Sequence, residues 1–495
     1  MSISPKIKAL LFSGFLVWLT LAWINLFSYS LPWMDTWCYL APAASCSSLF
    51  HLRTPLLEGF LGSDQGWGLH FPGAPLLYSC VFSIVTFRPY VAVLMFIILW
   101  FALAILVGWS AYQLTREGFL AIVAGVMILV DHTLFEDAQA QRPEIVGALA
   151  LVLVWMALSD IRPFHGRIRL VCLAGTFFML PLLHPVTLAV GACICLLLCW
   201  QYWASERNGR TVLLTSILGY GGGGLALFLW FYLQPEAWTQ FLDHAVSNKV
   251  AYSFGRTFWQ ALQHFYFPTL TGHLLWVIGL FVSVSTLFLW ARGRQKAAPG
   301  GFWASVILIS GLVAHQNFHN LFYLALYLPA AIVLSTLLLF RIHQTASSVR
   351  VRRWIQYLTC LFVAGHGLFW ATRTFKYLRD GMPYIRGELA QIAQSLPKKG
   401  RILIPEALWE DAILEPNRFA MNTLPNSSSS ERRILYETFV YRKLVKGDLV
   451  IIDRFQIKKP MNVLRPGEWT AMGNYKDVFP GRLEWGYDFE VWRKN

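Results

Sequence analysis

The sequence has little charge for its length. Charged residues make up only 14% of 495 positions, while hydrophobic residues reach 56%; an ordinary soluble domain is about 25% charged. This balance excludes a single water-soluble domain over the whole length. The formal charge is +14, but the basic residues are scattered between apolar runs. Nucleic-acid binding needs basic residues clustered on one face, so nucleic acid is excluded as a partner.

Several common catalytic motifs are also missing. There is no Gly-x-Ser-x-Gly, no Walker lysine and no dinucleotide fingerprint, so the pattern gives no support to a nucleophile-elbow hydrolase, a P-loop enzyme or a Rossmann enzyme. The run Gly221–Gly224 lies within an apolar stretch, which favours close helix packing over phosphate binding. His315 and His319 have helical i,i+4 spacing but lack the glutamate of a zinc-binding H-E-x-x-H motif.

The eight cysteines form no metal-ligand pattern. Five of them lie inside apolar runs, where cysteine usually acts as a small hydrophobic residue. Cys38, Cys46 and Cys80 fall in segments that we place outside the membrane. A disulfide between Cys38 and Cys46 in an oxidising compartment therefore stays open, because spacing alone fixes no geometry.

Long apolar runs are abundant. A membrane span needs about 20 mainly apolar residues, and the His184-Pro185 break divides one longer run into two short spans. The sequence predicts about eleven spans, near residues 7–31, 89–113, 117–133, 143–160, 168–183, 185–203, 212–233, 271–291, 301–316, 319–340 and 352–375.

The apolar stretch 71–87 decides the orientation of everything after it. If it lies along the membrane surface, fifteen Lys and Arg residues fall inside and only five outside before residue 376, as the positive-inside rule requires. The five outside are Arg53, Arg88, Arg142, Lys249 and Arg256. We therefore predict a cytoplasmic N-terminus, a juxtamembrane or re-entrant 71–87 segment, and a C-terminal domain outside.

This threading predicts two domains. Residues 1–375 form a mainly α transmembrane helical bundle with outer loops 32–88, 131–143 and 234–270, and nine acidic residues fall on the outer side. Residues 376–495 have the composition of a small soluble α/β domain. Helical spacing over 385–396 and apolar runs at 402–404 and 449–452 predict a helix and two buried strands there.

Asp35 is the first candidate catalytic residue. It follows the first span directly and stands between Trp33 and Trp37, aromatic residues typical of the membrane interface. The plain interpretation is a solvated loop acid. The functional one is a general base, because a carboxylate at the bilayer boundary is partly withdrawn from water.

The segment from Asp131 to Glu144 carries a second cluster of acids, Asp137 among them. Pro143 and Glu144 suit the first turn of a helix, where a carboxylate meets the positive end of the helix dipole. That explains Glu144 structurally. Arg142 and Glu144 would equally suit binding of a phosphate together with a metal or an acceptor hydroxyl, and the sequence leaves both readings open. His184, at the break between two spans, is either a helix cap or a cavity-lining residue.

In this layout the chain resembles the GT-C superfamily of integral membrane glycosyltransferases, especially bacterial relatives of protein O-mannosyltransferases and aminoarabinose transferases. Asp35 with Tyr39 resembles the Asp-Glu-x-x-Tyr motif after the first span, although Thr36 replaces the Glu. Arg142-Pro143-Glu144 resembles the Arg-Pro-Asp/Glu segment that opens the fourth span. Leu183-His184-Pro185 and the segment from His319 to Pro329 are looser matches, and His319 stands where relatives have Arg.

The resemblance implies transfer of a sugar from a polyprenyl-phosphate-linked donor to a lipid, glycan or protein acceptor on the outer face of the membrane. Asp35 would be the catalytic base, with Glu144 assisting it or sharing a divalent cation such as Mg or Mn. Tyr39 and Asp137 are candidates for acceptor or metal binding. The candidates for binding the donor phosphate are Arg142, Lys249, Arg256, His184 and His319.

The expected location is a bacterial inner membrane, with the C-terminal domain in the periplasm. The main alternative from another class is a multi-span transporter or lipid flippase, since outward acids and broken helices also suit ion coupling. A transporter would more often show internal repeats, and this sequence shows none. An outer-face ligase for preassembled glycans and an inactive scaffold are further alternatives.

Overall fold

A computed structural model describes most of the chain. The described residues are 14, 16–24, 34–46, 52–58, 60–139, 141–161, 166–202, 207–247, 270–292, 299–315, 321–346, 348–379, 385–422, 440–453, 467–475 and 489–495. The side chains of Asp35 and Asp137 are outside the description, although both residues lie in helices. The predicted phosphate-binding residues Lys249, Arg256 and His319 lie outside the described residues altogether.

The described part of the chain is mainly helical. Residues 16–24 are helical (α1), and the helices that follow are α2 (Met34–Ala44), α3 (Gly73–Ile84), α4 (Pro89–Thr115), α5 (Gly118–Val130), α6 (His132–Gln139), α7 (Glu144–Leu158), α8 (Gly166–Leu183), α9 (Pro185–Tyr202), α10 (Arg207–Leu233), α11 (Pro235–Ser247), α12 (Leu270–Ala291), α13 (Pro299–His315), α14 (Leu328–Thr345), α15 (Val349–Arg379), α16 (Ile385–Ser395) and α17 (Trp409–Ala412). Short 3-10 turns lie at Pro55–Leu57, Leu321–Leu326 and Glu406–Leu408.

A described helix coincides with each of the eleven apolar segments. Five described helices are long and apolar enough to cross a membrane, namely Pro89–Thr115, Gly166–Leu183, Gly209–Leu233, Leu274–Ala291 and Leu328–Thr345. Other apolar helices, such as α5 and α7, are shorter. The protein is therefore a polytopic helical bundle, and the count of eleven spans stays a prediction. The domain boundary at residue 375 also stays a prediction, and α15 runs past it to Arg379.

The stretch 71–87 forms a short helix of its own. α3 has 12 residues, which is about 18 Å of helix against a hydrocarbon core of about 30 Å. It ends at Ile84, and a non-helical link separates it from α4. Gly73 at its start lies against the Leu182 carbonyl near the end of α8, 2.7 Å from where a Cβ would be. That 71–87 lies along the membrane surface remains a prediction. The short length of α3 is consistent with it.

The glycine run in α10 is a helix-packing surface. A Cβ on Gly219 would stand 2.6 Å from the Ala174 carbonyl, and one on Gly223 would overlap the Phe178 carbonyl, both in α8. Only glycine lets the two backbones approach so closely. The run therefore contributes to packing, as the sequence indicated, and not to a phosphate loop.

The C-terminal segment forms a five-stranded mixed sheet beside α16 and α17. The strands β1 (Ile402–Ile404), β2 (Phe419–Met421), β3 (Leu449–Asp453), β4 (Trp469–Tyr475) and β5 (Phe489–Lys494) have the order β2-β1-β3-β5-β4. The first three are parallel, and β5 pairs antiparallel with both β3 and β4. The helix and the two strands predicted from the sequence are present, and β2, β4 and β5 were not predicted.

The sheet domain docks on the outer loop 32–88. Glu58 accepts hydrogen bonds from Arg401 and from Lys443 Nζ, the latter at 2.7 Å. The rings of Phe87 and Trp409 are in contact, with centroids 5.6 Å apart. These contacts fix the loop that follows the first span against the C-terminal domain.

Gln240 fixes the other side of the same loop. Its side chain, on α11, donates to the carbonyls of Leu61 and Gly66 at 3.1 and 2.9 Å and accepts from the amide N–H of Gly68 at 3.0 Å. Gln240 is fully buried. A Cβ on Gly68 would overlap the Ala237 carbonyl, so the loop backbone lies directly on α11.

We expect Gln240→Ala to lower the free energy of unfolding by about 1–3 kcal/mol, because a buried carbonyl, a partly buried carbonyl and a buried N–H lose their partner. Amide hydrogen exchange should accelerate locally over 61–68. Thr239→Ala is the matched control, since the Thr239 hydroxyl is exposed and bonds only to Pro235 in its own helix. Equal exchange over 61–68 in the two variants would contradict this role.

Candidate active site

A buried ion pair lies at the start of α7. Arg142 Nε donates to both carboxylate oxygens of Glu144, at 3.1 and 3.2 Å, and Nη2 donates to Oε1 at 2.7 Å. The side chains are 2% and 0% exposed. Pro143 between them has helical backbone angles and precedes the first residue of the helix. Because only Pro143 separates them in sequence, the two charged side chains can form a forked, charge-assisted pair.

Tyr323 lies beside this pair, and His184 packs against Tyr323. The Arg142 guanidinium carbon lies 5.9 Å from the centroid of the Tyr323 ring, and the His184 ring meets the same tyrosine edge-on at 4.1 Å. Tyr323 lies in the 3-10 turn Leu321–Leu326. A Cβ on Gly147 would overlap the Leu326 side chain, so this turn packs directly on α7. Three segments distant in sequence meet here.

The backbone around His184 sets its tautomer. His184 Nδ1 accepts a hydrogen bond from the Val186 N–H at 3.1 Å, so the neutral ring carries its proton on Nε2. The Thr187 hydroxyl lies within hydrogen-bonding distance of the His184 and Leu180 carbonyls. These bonds satisfy backbone groups at the break between α8 and α9. His184 is therefore both a helix cap and a buried polar residue of the site.

α3 connects this pair to the helix that carries Asp35. The Tyr78 hydroxyl of α3 donates to the Arg142 carbonyl at 3.5 Å, and α3 also packs against α2. Asp35 is the second residue of α2. α3 therefore contacts both the helix that carries Asp35 and the backbone of Arg142.

Tyr39 lies one turn after Asp35 in α2. Its hydroxyl is 3.3 Å from His70 Nδ1, and the two rings are in contact with centroids 4.5 Å apart. Tyr39 is buried, while His70 is half-buried. Sequence reasoning did not select His70, because a single histidine in a long loop carries no signal of its own.

A second buried pair, Asp131 with His366, was also missed. Asp131 Oδ2 lies 2.9 Å from His366 Nε2, and both residues are buried. Asp131 Oδ1 accepts from the N–H groups of Thr133 and Leu134, at 2.8 and 3.1 Å, and so caps α6. An ionisable residue within a span calls for a partner, so His366 inside the predicted span 352–375 was the available signal.

The ion pair does not fit a metal ligand role for Glu144. Both of its carboxylate oxygens already accept hydrogen bonds from Arg142, and a guanidinium at that distance repels a dication. Within the described ranges no group of three His, Cys, Asp or Glu side chains is arranged to hold a metal. Cys38 and Cys46, the candidate disulfide, are both thiols.

Comparison with known proteins identifies the fold. No protein-family model and no curated protein sequence matches the chain. Among solved structures, ArnT from Cupriavidus metallidurans matches in the apo state (13% identity, TM-score 0.63, 98% of both chains). The same protein bound to undecaprenyl phosphate matches over 99% of this chain and 98% of its own (12% identity, TM-score 0.64).

The Archaeoglobus fulgidus oligosaccharyltransferase, in complex with Zn and sulfate, is a more distant match. It has 14% identity and a TM-score of 0.50, over 89% of this chain and 68% of its own. At these identities the likeness establishes the fold. The chain has the fold of ArnT over nearly its whole length, which agrees with the polytopic helical architecture expected from the sequence.

Proposed function

We propose that this protein, which has the fold of ArnT, is a membrane glycosyltransferase that moves a sugar from a polyprenyl-phosphate-linked donor to an acceptor at the outer face of the membrane. The observation that carries the proposal is the match, over nearly both full lengths, to ArnT bound to undecaprenyl phosphate. The buried Arg142–Glu144 pair beside Tyr323 and His184 supports it, because such polar groups inside an apolar bundle mark functional sites.

The chemistry requires one base and one leaving group. The acceptor nucleophile forms a bond to the anomeric carbon of the sugar, while the bond from that carbon to the phosphate oxygen breaks. In our proposal Asp35 accepts the proton from the acceptor. Tyr39 and Asp137 remain candidates for acceptor contacts.

The lipid phosphate leaves as an anion and needs hydrogen-bond donors. We assign this role to Arg142 and His184, together with Lys249, Arg256 and His319. Nε2–H of His184 is suited to it, because the Val186 amide holds Nδ1 as the acceptor. Glu144 acts through Arg142, since its forked contact fixes the plane of the guanidinium. Preorganised donors of this kind stabilise charge that develops in the transition state.

The experiment is a transfer assay with the purified full-length chain in vesicles. The donors are undecaprenyl phosphates linked to a labelled hexose or pentose, and the acceptors form a panel of lipids, glycans and proteins. We expect label to leave the donor and undecaprenyl phosphate to appear in equal amount. A donor that crosses the bilayer chemically unchanged would indicate the flippase alternative, and a donor left intact with every acceptor would contradict transfer.

The orientation of the chain in the membrane is part of the same proposal. The basic residues of the inner loops support a cytoplasmic N-terminus and a periplasmic C-terminal domain. The orientation is tested in intact spheroplasts with a cysteine-reactive, membrane-impermeant label and a variant that carries a cysteine at exposed Met472 and serine at all eight native cysteines. Labelling without lysis is the expected result, and labelling only after lysis would contradict it.

A further inference from the structure

Gln141 combines two unfavourable features. It is 1% exposed, and neither its side-chain oxygen nor its side-chain nitrogen has a hydrogen-bond partner in the described part of the chain. Its φ angle is +52°, in the left-handed region that non-glycine residues seldom adopt. Gln141 lies between the end of α6 and the Arg142–Glu144 pair.

Both features cost free energy. A buried polar group without a hydrogen-bond partner loses its hydration without replacement, and a left-handed backbone at a residue with a Cβ adds steric strain. Glycine at this position would remove both costs. Strain and unpaired polar groups of this kind cluster at ligand-binding and catalytic sites, where the surrounding structure maintains them.

The chemistry of the amide selects the ligand. Its nitrogen donates two hydrogen bonds and its oxygen accepts, so both need partners. An ionised phosphate only accepts and would leave the oxygen unpaired. Adjacent hydroxyls of a sugar both donate and accept, and satisfy the two amide atoms together.

We infer that Gln141 binds hydroxyl groups of the donor's sugar and so helps to select the sugar-linked lipid over the bare polyprenyl phosphate. This inference rests on the proposed function, because it assumes a sugar donor in the site. It assigns Gln141 a different part of the donor from Arg142 and His184, which are assigned to the phosphate.

The test uses Gln141→Gly, which removes the amide and relieves the backbone strain at once. Arg116→Gly is the matched control, because Arg116 is an exposed residue after α4 with φ +59°. Both variants should be as stable as the wild type or more so. Dissociation constants are measured by ligand-dependent thermal shift for undecaprenyl phosphate and for its hexose- and pentose-linked forms.

We expect the wild type and Arg116→Gly to bind a sugar-linked form more tightly than undecaprenyl phosphate. In Gln141→Gly this preference should fall about tenfold, as the loss of one or two hydrogen bonds predicts, with the affinity for undecaprenyl phosphate unchanged. Where the wild type transfers sugar, KM for the donor should rise by the same factor.

Two results with Gln141→Gly would overturn the inference. One is an unchanged preference, and the other is an equal loss of affinity for both lipids, which would place the amide on the phosphate. Failure of the proposed function is distinguishable, since it shows as absent transfer by the wild type. If no sugar-linked form binds the wild type more tightly than undecaprenyl phosphate, the inference is likewise wrong.

Discussion

Glu144→Ala is expected to lower the free energy of unfolding by about 3–5 kcal/mol, because it leaves the Arg142 guanidinium buried without its charged partner. Arg142 is 1% exposed and Glu144 is fully buried, so water cannot replace the lost carboxylate. The measurement is SDS-induced unfolding of the purified protein in mixed micelles. Sugar transfer should fall with it, since the guanidinium loses the group that fixes its plane.

The double variant Arg142→Met with Glu144→Met separates stability from activity. Replacing both members of a buried pair by apolar residues is often neutral or stabilising, so most of the lost stability should return. Transfer should stay low, because no guanidinium remains to stabilise the leaving phosphate. A double variant with wild-type transfer would show that the pair is only structural.

An exposed pair in the C-terminal domain provides the control. Arg418 and Glu415 are 2.8 Å apart, but the Glu415 side chain is 57% exposed. Exposed pairs contribute about 0–1 kcal/mol, so Glu415→Gln should change the free energy of unfolding by no more than that. If Glu144→Ala lowered the free energy of unfolding as little as Glu415→Gln, the buried Arg142–Glu144 pair would contribute no more to stability than an exposed pair.

Asp35→Asn is expected to lower kcat about 10²- to 10⁴-fold, the range that one general base contributes. Asparagine keeps the shape of aspartate but cannot accept the proton of the acceptor. The affinity for undecaprenyl phosphate should not change, since Asp35 is assigned to the acceptor side. Single-turnover transfer from a labelled donor measures the effect on chemistry apart from product release.

Asp64→Asn is the matched control for Asp35→Asn. Asp64 lies in the same outer loop, in a turn that is hydrogen-bonded between Gly62 and Gly66, and has no assigned catalytic role. Its substitution should leave kcat near the wild-type value. Equal kcat in Asp35→Asn and the wild type would contradict Asp35 as the base, while leaving the transferase proposal to other carboxylates.

The helices were predictable because each apolar run long enough to enter a membrane must satisfy its backbone internally, and a helix does this locally. The strands at 402–404 and 449–452 were predictable for a similar reason, since buried parallel strands read as continuous apolar runs. β4 and β5 carry polar residues and Trp side chains in mixed order, and β2 has only three residues. These three strands are recognised by their hydrogen-bonded pairing in the sheet and not by their sequence pattern.

The sequence indicated several residues of the candidate site but not their contacts. Arg142, Glu144 and His184 were selected from motifs, yet the ring of Tyr323 that joins them lies some 140 to 180 positions further along the chain. Asp131 and His366 are 235 positions apart. Contacts over such separations depend on how helices pack, which no local pattern encodes.

The sequence by itself determined that the chain enters a membrane and which long apolar segments are helical, because these follow from local hydropathy, but it did not predict α2, α6 and α11 within the loops. Only the tertiary structure decided that Arg142 pairs with Glu144, that α3 joins α2 to this pair, and that Gln141 is buried in a left-handed conformation. Those features arise from packing between distant segments, where small differences in approach decide which polar groups meet.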